Sequence, residues 1–168
     1  MWLDAESALR HLDRLHAAAL ALCGNRADAE DLVQDVCVAL LRRRRRLSSG
    51  SELAYLLTML RNRHIDKRRT AARRGTPLAL DDAEEPVDPR GGLRPDRAAE
   101  HGEVLVAVHE LESPFRETVV AVDVLGLSYK EAAEALGTPV GTVMSRLARG
   151  RQRVVQTLEP ERTPCAHA

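Results

Sequence analysis

Thr142, Ser145, Arg146 and Arg149 follow one another at steps of three, one and three residues. At roughly 100° per residue, a helix with Thr142 at zero carries Ser145 at about −60°, Arg146 at about +40°, Arg149 at about −20° and Arg153 at about +20°. Hydroxyls and guanidiniums grouped on one narrow stripe can bond phosphate oxygens and the acceptor edges of bases in a major groove. An ordinary solvated helix face mixes acids with bases. Pro139–Gln156 contains no acid at all, so the stripe fits contact with duplex DNA.

The opposite side of the same segment must dock. Val140, Val143, Leu147 and Val154 fall between about 100° and 160°; on the polar side, small Gly141 alongside the stripe permits close approach of a ligand. Before it, Ser128 and Glu131 have the spacing of a capping box, and Ala132, Ala133 and Leu136 form the apolar face of a short helix. Gly137 suits a left-handed helix end, Thr138 is expected to cap the next helix, and Pro139 to open it. The result is helix, tight turn, helix, a unit common among DNA readers. Upstream, Glu103–Leu111 reads as a helix. Ser113-Pro114 starts another that runs to about Val124 and ends at Gly126.

The front of the chain is also helical. Ala29, Leu32, Val33, Val36, Cys37, Leu40 and Leu41 recur at helical spacing, with Glu30, Asp31, Gln34 and Asp35 on the other side and Arg42–Arg46 at the end. Asn25 or Asp28 caps its start. Leu3–Cys23 reads as one amphipathic helix broken by Gly24-Asn25. After the loop "LSSGS", Glu52–Arg74 forms a third helix, apolar at Leu53, Leu56, Leu57, Leu60 and Ile65 and strongly basic toward its end. The stretch "TPLALDDAEEPVDPRGGLRPD" is rich in proline and acid and buries too little apolar surface to order itself. The expected fold class is therefore all-α: two small helical domains joined by a flexible acidic linker. The expected boundaries are 1–74, linker 75–100, 101–160, and a disordered tail 161–168.

Composition agrees. Of 168 residues 44% are hydrophobic but only 2% aromatic, so a core must be built from Leu, Val and Ala. The net charge of zero conceals a basic front: residues 1–74 hold 15 Lys+Arg against 9 Asp+Glu, whereas 75–100 hold 3 against 7. A basic half is a surface for a polyanion. Cys23, Cys37 and Cys165 are too few for a disulfide framework, and the first two sit in apolar patterns as buried free thiols. The run Ala17–Cys23 is too short to span a membrane and lacks a cleavage site, so the expected location is cytoplasmic.

Three motifs, in order, carry a resemblance. "DAEDLVQD", "YLLTMLRNRHIDKRR" and "GLSYKEAAEALGTPVGTVMSRLARGRQRV" resemble the second-region signature, the promoter-reading helix and the fourth region of extracytoplasmic-function sigma factors of bacterial RNA polymerase. A helix-turn-helix alone is shared by many regulators, whereas the three together cover nearly all of the chain outside the linker and termini. The resemblance implies that Asp31, Gln34 and Asp35 dock on the clamp of the polymerase β′ subunit, to which an acidic face on a rigid helix is suited. It implies that Arg61, Asn62, Asp66, Arg68 and Arg69 read the minus-ten element, and that the loop with Ser48, Ser49 and Ser51 holds a flipped base. Lys130, Thr142, Ser145, Arg146 and Arg149 would read the minus-thirty-five element. The implied partners are polymerase core (β′ clamp and β flap), promoter DNA and an anti-sigma factor. Tyr55 and Met144 depart from the Trp and Lys common at those positions.

The sequence offers nothing that suggests an enzyme. His11, His16, His64, His101, His109 and His167 show no paired-ligand spacing, and no glycine-rich phosphate loop appears. The expectation is no cofactor, no metal and no small-molecule substrate. A helix-turn-helix regulator that does not bind polymerase would need a sensor domain in front, and the basic helical front lacks the alternating strand pattern of one. A recombinase would need a nucleophile among arginines, and Tyr55 near Arg61 is the nearest approach.

Overall fold

The computed structural model describes residues 2–3, 5–42, 45–46, 51–73 and 95–159. The first domain is built on α1 (Ala5–Arg10), α2 (Leu12–Cys23), α3 (Arg26–Arg42) and α4 (Glu52–Arg73). The second is built on α5 (Pro95–His109), α6 (Ser113–Val119), a π-helical turn (Val120–Val124), α7 (Tyr129–Leu136) and α8 (Val140–Leu158). The all-α, two-domain class expected from the sequence holds. A two-residue antiparallel pairing, β1 (Trp2–Leu3) with β2 (Arg45–Arg46), ties the start of the chain to the segment after α3.

Local signals explain most boundaries. Asn25 caps α3: its Oδ1 accepts from the Asp28 amide at 2.8 Å, while its Nδ2 donates to the Asp28 carboxylate at 2.8 Å. Ser128 and Glu131 complete the capping box of α7 in both directions. Gly24 and Gly137 end α2 and α7 with φ of 80° and 62°, the left-handed region where a side chain is strained.

Four boundaries differ from expectation. The helix expected over Leu3–Cys23 is split at His11, whose φ of −114° and ψ of 13° leave the helical region. Its imidazole instead meets Glu52 at the start of α4, at 3.4 Å. Helix α5 begins at Pro95, inside the segment expected to be linker. Proline, with φ already set, suits a first helical position. Thr138 does not cap α8. Pro139 holds that position with ψ of 148°, and the Thr138 hydroxyl is buried without a partner. Ser113 is the first residue of α6 rather than its cap, and its hydroxyl donates to Glu117 at 2.9 Å. The rest of the expected linker, 75–94, and the expected tail, 161–168, lie outside the described residues.

The core is aliphatic, as the scarcity of aromatics requires, and it is continuous through both domains. Leu15, Leu32, Leu40, Leu56, Leu57 and Leu60 from the first join Val108, Val120, Leu125, Val143 and Leu147 from the second. Thr118, Val119, Val120 and Ala121 are buried consecutively. A helix buried all round lies between two partners: here α8 packs on one side and α2 on the other. The domains are therefore docked on each other, which nothing in the spacing of the sequence indicated.

Between helices, the glycine of close approach is Gly150. A Cβ on Gly150 would lie 2.7 Å from Val119 Cγ2 at the crossing of α6 and α8, whereas Gly141 faces open space. Val119 is β-branched and buried, so it has little room to yield. Gly150→Ala is expected to lower stability by about 1–2 kcal/mol, overpacking outweighing the gain of about 1 kcal/mol in helix propensity. Gly141→Ala is expected to be neutral or stabilising. Thermal melts of the two variants check this.

Candidate nucleic-acid and protein interfaces

Helix α3 separates a buried side from an outward ridge. Ala29, Leu32, Val33, Val36 and Leu40 are buried, Cys37 is half-buried, and Asp31 and Gln34 are exposed. Asp35 is half-buried and meets Lys67 of α4 at 3.1 Å. Leu41, expected on the core side, is 71% exposed, and Val38 is 37% exposed. Counting at 100° per residue from Asp31, Val38 lies at about −20° and Leu41 at about −80°, so both border the acidic residues. The ridge therefore combines carboxylates with aliphatic surface, and the periodicity of Leu40-Leu41 concealed the second part.

Helix α4 carries its apolar residues inward, with Leu53, Leu56, Leu57 and Leu60 buried. Asn62, Asp66, Arg68 and Arg69 are exposed along its second half, as expected of a surface that meets a ligand. Arg61 differs. Its Nε donates to Glu117 of α6 at 2.6 Å, with both side chains largely covered. Ser51 is half-buried. Ser48 and Ser49 lie outside the described residues.

Helix α8 docks through Val143 and Leu147, both buried, and half-buried Val154. Val140, expected to dock with them, is 42% exposed. Ser145 and Arg149 are exposed, Thr142 and Arg146 half-buried, and Lys130 of α7 exposed nearby in the chain. Ser145 donates to the Thr142 carbonyl at 3.1 Å, a bond it can exchange for an outside acceptor. Neither Arg146 nor Arg149 forms an ion pair among the described residues. The other two arginines of α8 are engaged: Arg151 forks onto Asp123 at 2.6 and 3.0 Å, and Arg153 lies 4.3 Å from the Phe115 ring centre and 3.2 Å from Glu112. Arg153 thus leaves the stripe in which spacing had placed it.

Where the domains meet, four titratable groups gather that the sequence did not single out together. The His109 ring rests on Gly24, and its Nδ1–H donates to the Ala21 carbonyl at 3.2 Å. Arg116 donates to the carbonyls of Leu22 at 3.3 Å and Leu111 at 2.8 Å. The Cys23 thiol is pushed up to about 12 by burial and by Asp28, so it stays protonated and unreactive, 3.6 Å from His64 Nδ1. His64 is pushed down to about 4, first by burial and then by Arg68 and Arg116, with Glu117 opposing and His109 adding to the depression. His109 is also lowered, by burial and Arg116.

A histidine more easily protonated when unfolded binds fewer protons in the native state, so stability falls as pH drops from 6.5 toward 4 and is complete above 6.5. Between pH 7 and pH 5 the loss through His64 is expected to be about 1 kcal/mol, after discounting for its partial exposure. Carboxylates contribute little in that window. Melting temperature measured at both pH values should therefore fall by about 2–4 °C, and His64→Gln should flatten the difference.

Among the described residues, no group of three or more His, Cys, Asp or Glu side chains is placed to hold a metal ion. Among them too, no helix is long and apolar enough to cross a membrane. The arrangement is one of binding surfaces: an acidic and aliphatic ridge, a polar and basic helix, and a helix-turn-helix with a cationic, hydroxylic outer stripe.

Comparison with known proteins agrees with that description. Residues 8–74 match the family model for sigma-70 region 2, and residues 101–154 the model for sigma-70 region 4. ECF RNA polymerase sigma factor SigE of Mycolicibacterium smegmatis is 32% identical over 154 residues, covering 89% of this chain and 59% of SigE. Sigma factor EcfG of Rhodopseudomonas palustris is 32% identical over 152 residues, covering 89% and 81%. Among solved structures, sigma factor RpoE in complex with the anti-sigma factor NepR from Bartonella quintana superposes with a TM-score of 0.72 at 26% identity. That match covers 94% of this chain and 97% of RpoE. CnrH in complex with the cytosolic domain of CnrY gives a TM-score of 0.58 at 25% identity, over 91% and 85%. The chain belongs to the sigma-70 family of RNA polymerase sigma factors, within the extracytoplasmic-function group.

Proposed function

We propose that this chain binds RNA polymerase core and directs it to promoters carrying two separated elements. The observation that supports this most is the outward display, on one chain, of two different surfaces in the order of the family's regions. The ridge of Asp31, Gln34 and Asp35, bordered by Val38 and Leu41, suits a basic and partly apolar partner such as the β′ clamp. The exposed stripe of Ser145 and Arg149, with Thr142 and Arg146 half-exposed beside it and Lys130 before it, suits the major groove of the minus-thirty-five element.

Asn62, Asp66, Arg68 and Arg69 of α4, with Arg61 once released, would read the minus-ten element. Ser48, Ser49 and Ser51 would hold an extruded base, whose extraction costs a few kcal/mol. Opening by capture of unstacked bases uses binding energy alone, with no catalytic group and no cofactor. The second domain would also meet the β flap, and the site of action would be the cytoplasm. The superposed sigma factor RpoE was solved in complex with an anti-sigma factor, which supports such a partner for this chain.

The test is selection from a random duplex pool by the chain together with polymerase core. The expected product is a bipartite motif with fixed spacing, enriched only when both proteins are present. A single motif enriched equally without core would show a simple helix-turn-helix regulator instead.

A further inference from the structure

We infer that the free chain holds itself closed through a latch in which Glu117 of the second domain occupies Arg61 on the helix read above as the minus-ten reader. The inference concerns regulation of that proposed site and rests on that reading of α4.

The latch is preorganised. Ser113 fixes one oxygen of the Glu117 carboxylate at 2.9 Å, leaving the other to accept from Arg61 Nε at 2.6 Å. Both partners are substantially covered, so the bond is charge-assisted and poorly screened. Other contacts close the same junction: Arg116 on the Leu22 carbonyl, and His109 on Gly24 and the Ala21 carbonyl. Helix α7 packs directly on α4, and the consecutive burial of Thr118–Ala121 requires α2 as well as α8. A nucleic acid approaching Arg61 must displace Glu117, and α7 must leave α4 for the whole face to be read.

The closure also contains a force against itself. Arg116 and Arg68 oppose each other as like charges across the junction, and both also push His64 down toward its neutral form. A contact held, among the described residues, by one ion pair and a few hydrogen bonds and weakened by a like-charge approach is suited to reversible opening. While it is closed, Asn62, Asp66 and Arg69 remain exposed but Arg61 is spent, so the reading set is incomplete. Observed affinity for DNA is then the intrinsic affinity reduced by the fraction of molecules that are open.

The test uses the full chain, without polymerase, and a fluorescent single-stranded DNA of mixed sequence. Glu117→Gln is compared with Glu110→Gln, which removes the same charge from an exposed position in the turn after α5. Glu117→Gln is expected to tighten binding about tenfold over Glu110→Gln at equal salt, and to speed amide exchange across residues 118–121 by a similar factor. Retained helical circular dichroism confirms that the domains themselves stay folded. Equal affinities for the two variants, with unchanged exchange at 118–121, would overturn the latch. Transcription with polymerase core separates the two levels: with Glu117→Gln it should match wild type. A specific transcript, together with equal DNA affinity of the two variants in the absence of core, sinks the latch alone. No specific transcript from any protein, wild type included, sinks the function on which the latch rests.

Discussion

Reversal of Asp31 and Asp35 together, to arginine, is expected to weaken binding to polymerase core by on the order of a hundredfold while leaving the fold intact. Each reversal replaces an attraction by a repulsion at a desolvating contact. At about 1–2 kcal/mol per site, the pair reaches about 3 kcal/mol, and each 1.4 kcal/mol is a factor of ten. The fold should survive because Asp31 is exposed and forms no ion pair among the described residues. The Asp35–Lys67 pair is 43% and 42% exposed at its two ends, and such pairs contribute little. Co-elution with core measures the binding and a thermal melt the fold. Wild-type co-elution of the double variant would remove the acidic ridge from the docking assignment. Loss of the melt together with binding would show instead that the two residues serve the fold.

Gly24→Ala should be the most damaging single methyl in the molecule. Two costs coincide there. A φ of 80° disfavours any side chain by about 1–2 kcal/mol, and the added Cβ would lie 2.4 to 2.7 Å from the His109 ring. That ring cannot swing freely, because its Nδ1–H is bonded to the Ala21 carbonyl. The expected loss is about 2–4 kcal/mol, or roughly 10 °C in melting temperature for a chain of this size. Gly137→Ala separates the two costs: its φ of 62° is equally left-handed, but nothing lies within 4 Å. It should lose only about 1–2 kcal/mol. Equal losses in the two variants would mean that His109 yields without cost and that the docking of α5 on α2 is soft.

Those two glycines show where the sequence was informative. Gly137 could be assigned as a helix end from its neighbours, because the signals for a cap are local: Ser128, Glu131 and Gly137 lie within ten residues of one another. Asn25 was one of two residues expected to cap α3, and Val143 and Leu147 were expected to dock α8. All three roles hold, because each depends on helical periodicity or on a bond spanning a single turn.

The failures have one physical origin. Periodicity states that a side is apolar but not what covers it. The side of α6 and its π-helical continuation that meets α2 therefore looked like the core of an isolated domain. The pairing of Arg61 with Glu117, 56 positions away, was not foreseen because it leaves no mark on the spacing around Arg61. Arg153 fitted the stripe by angle, but a long side chain can turn back, and Phe115 and Glu112 offer it a ring and a carboxylate. Leu41 followed Leu40 into the expected core although 100° of rotation places it beside the acidic ridge. Pro95 was taken with the prolines around it as a mark of irregular chain, though the same ring geometry favours the first position of a helix.

Runoff transcription reconstituted from purified polymerase core, this chain and a duplex carrying the selected bipartite motif tests the central claim most directly. The predicted result is a single transcript whose start lies at a fixed distance downstream of the motif, present only when both proteins are added and abolished by Asp31→Arg with Asp35→Arg. Absence of that transcript, or its persistence in full with the doubly reversed ridge, would contradict the account.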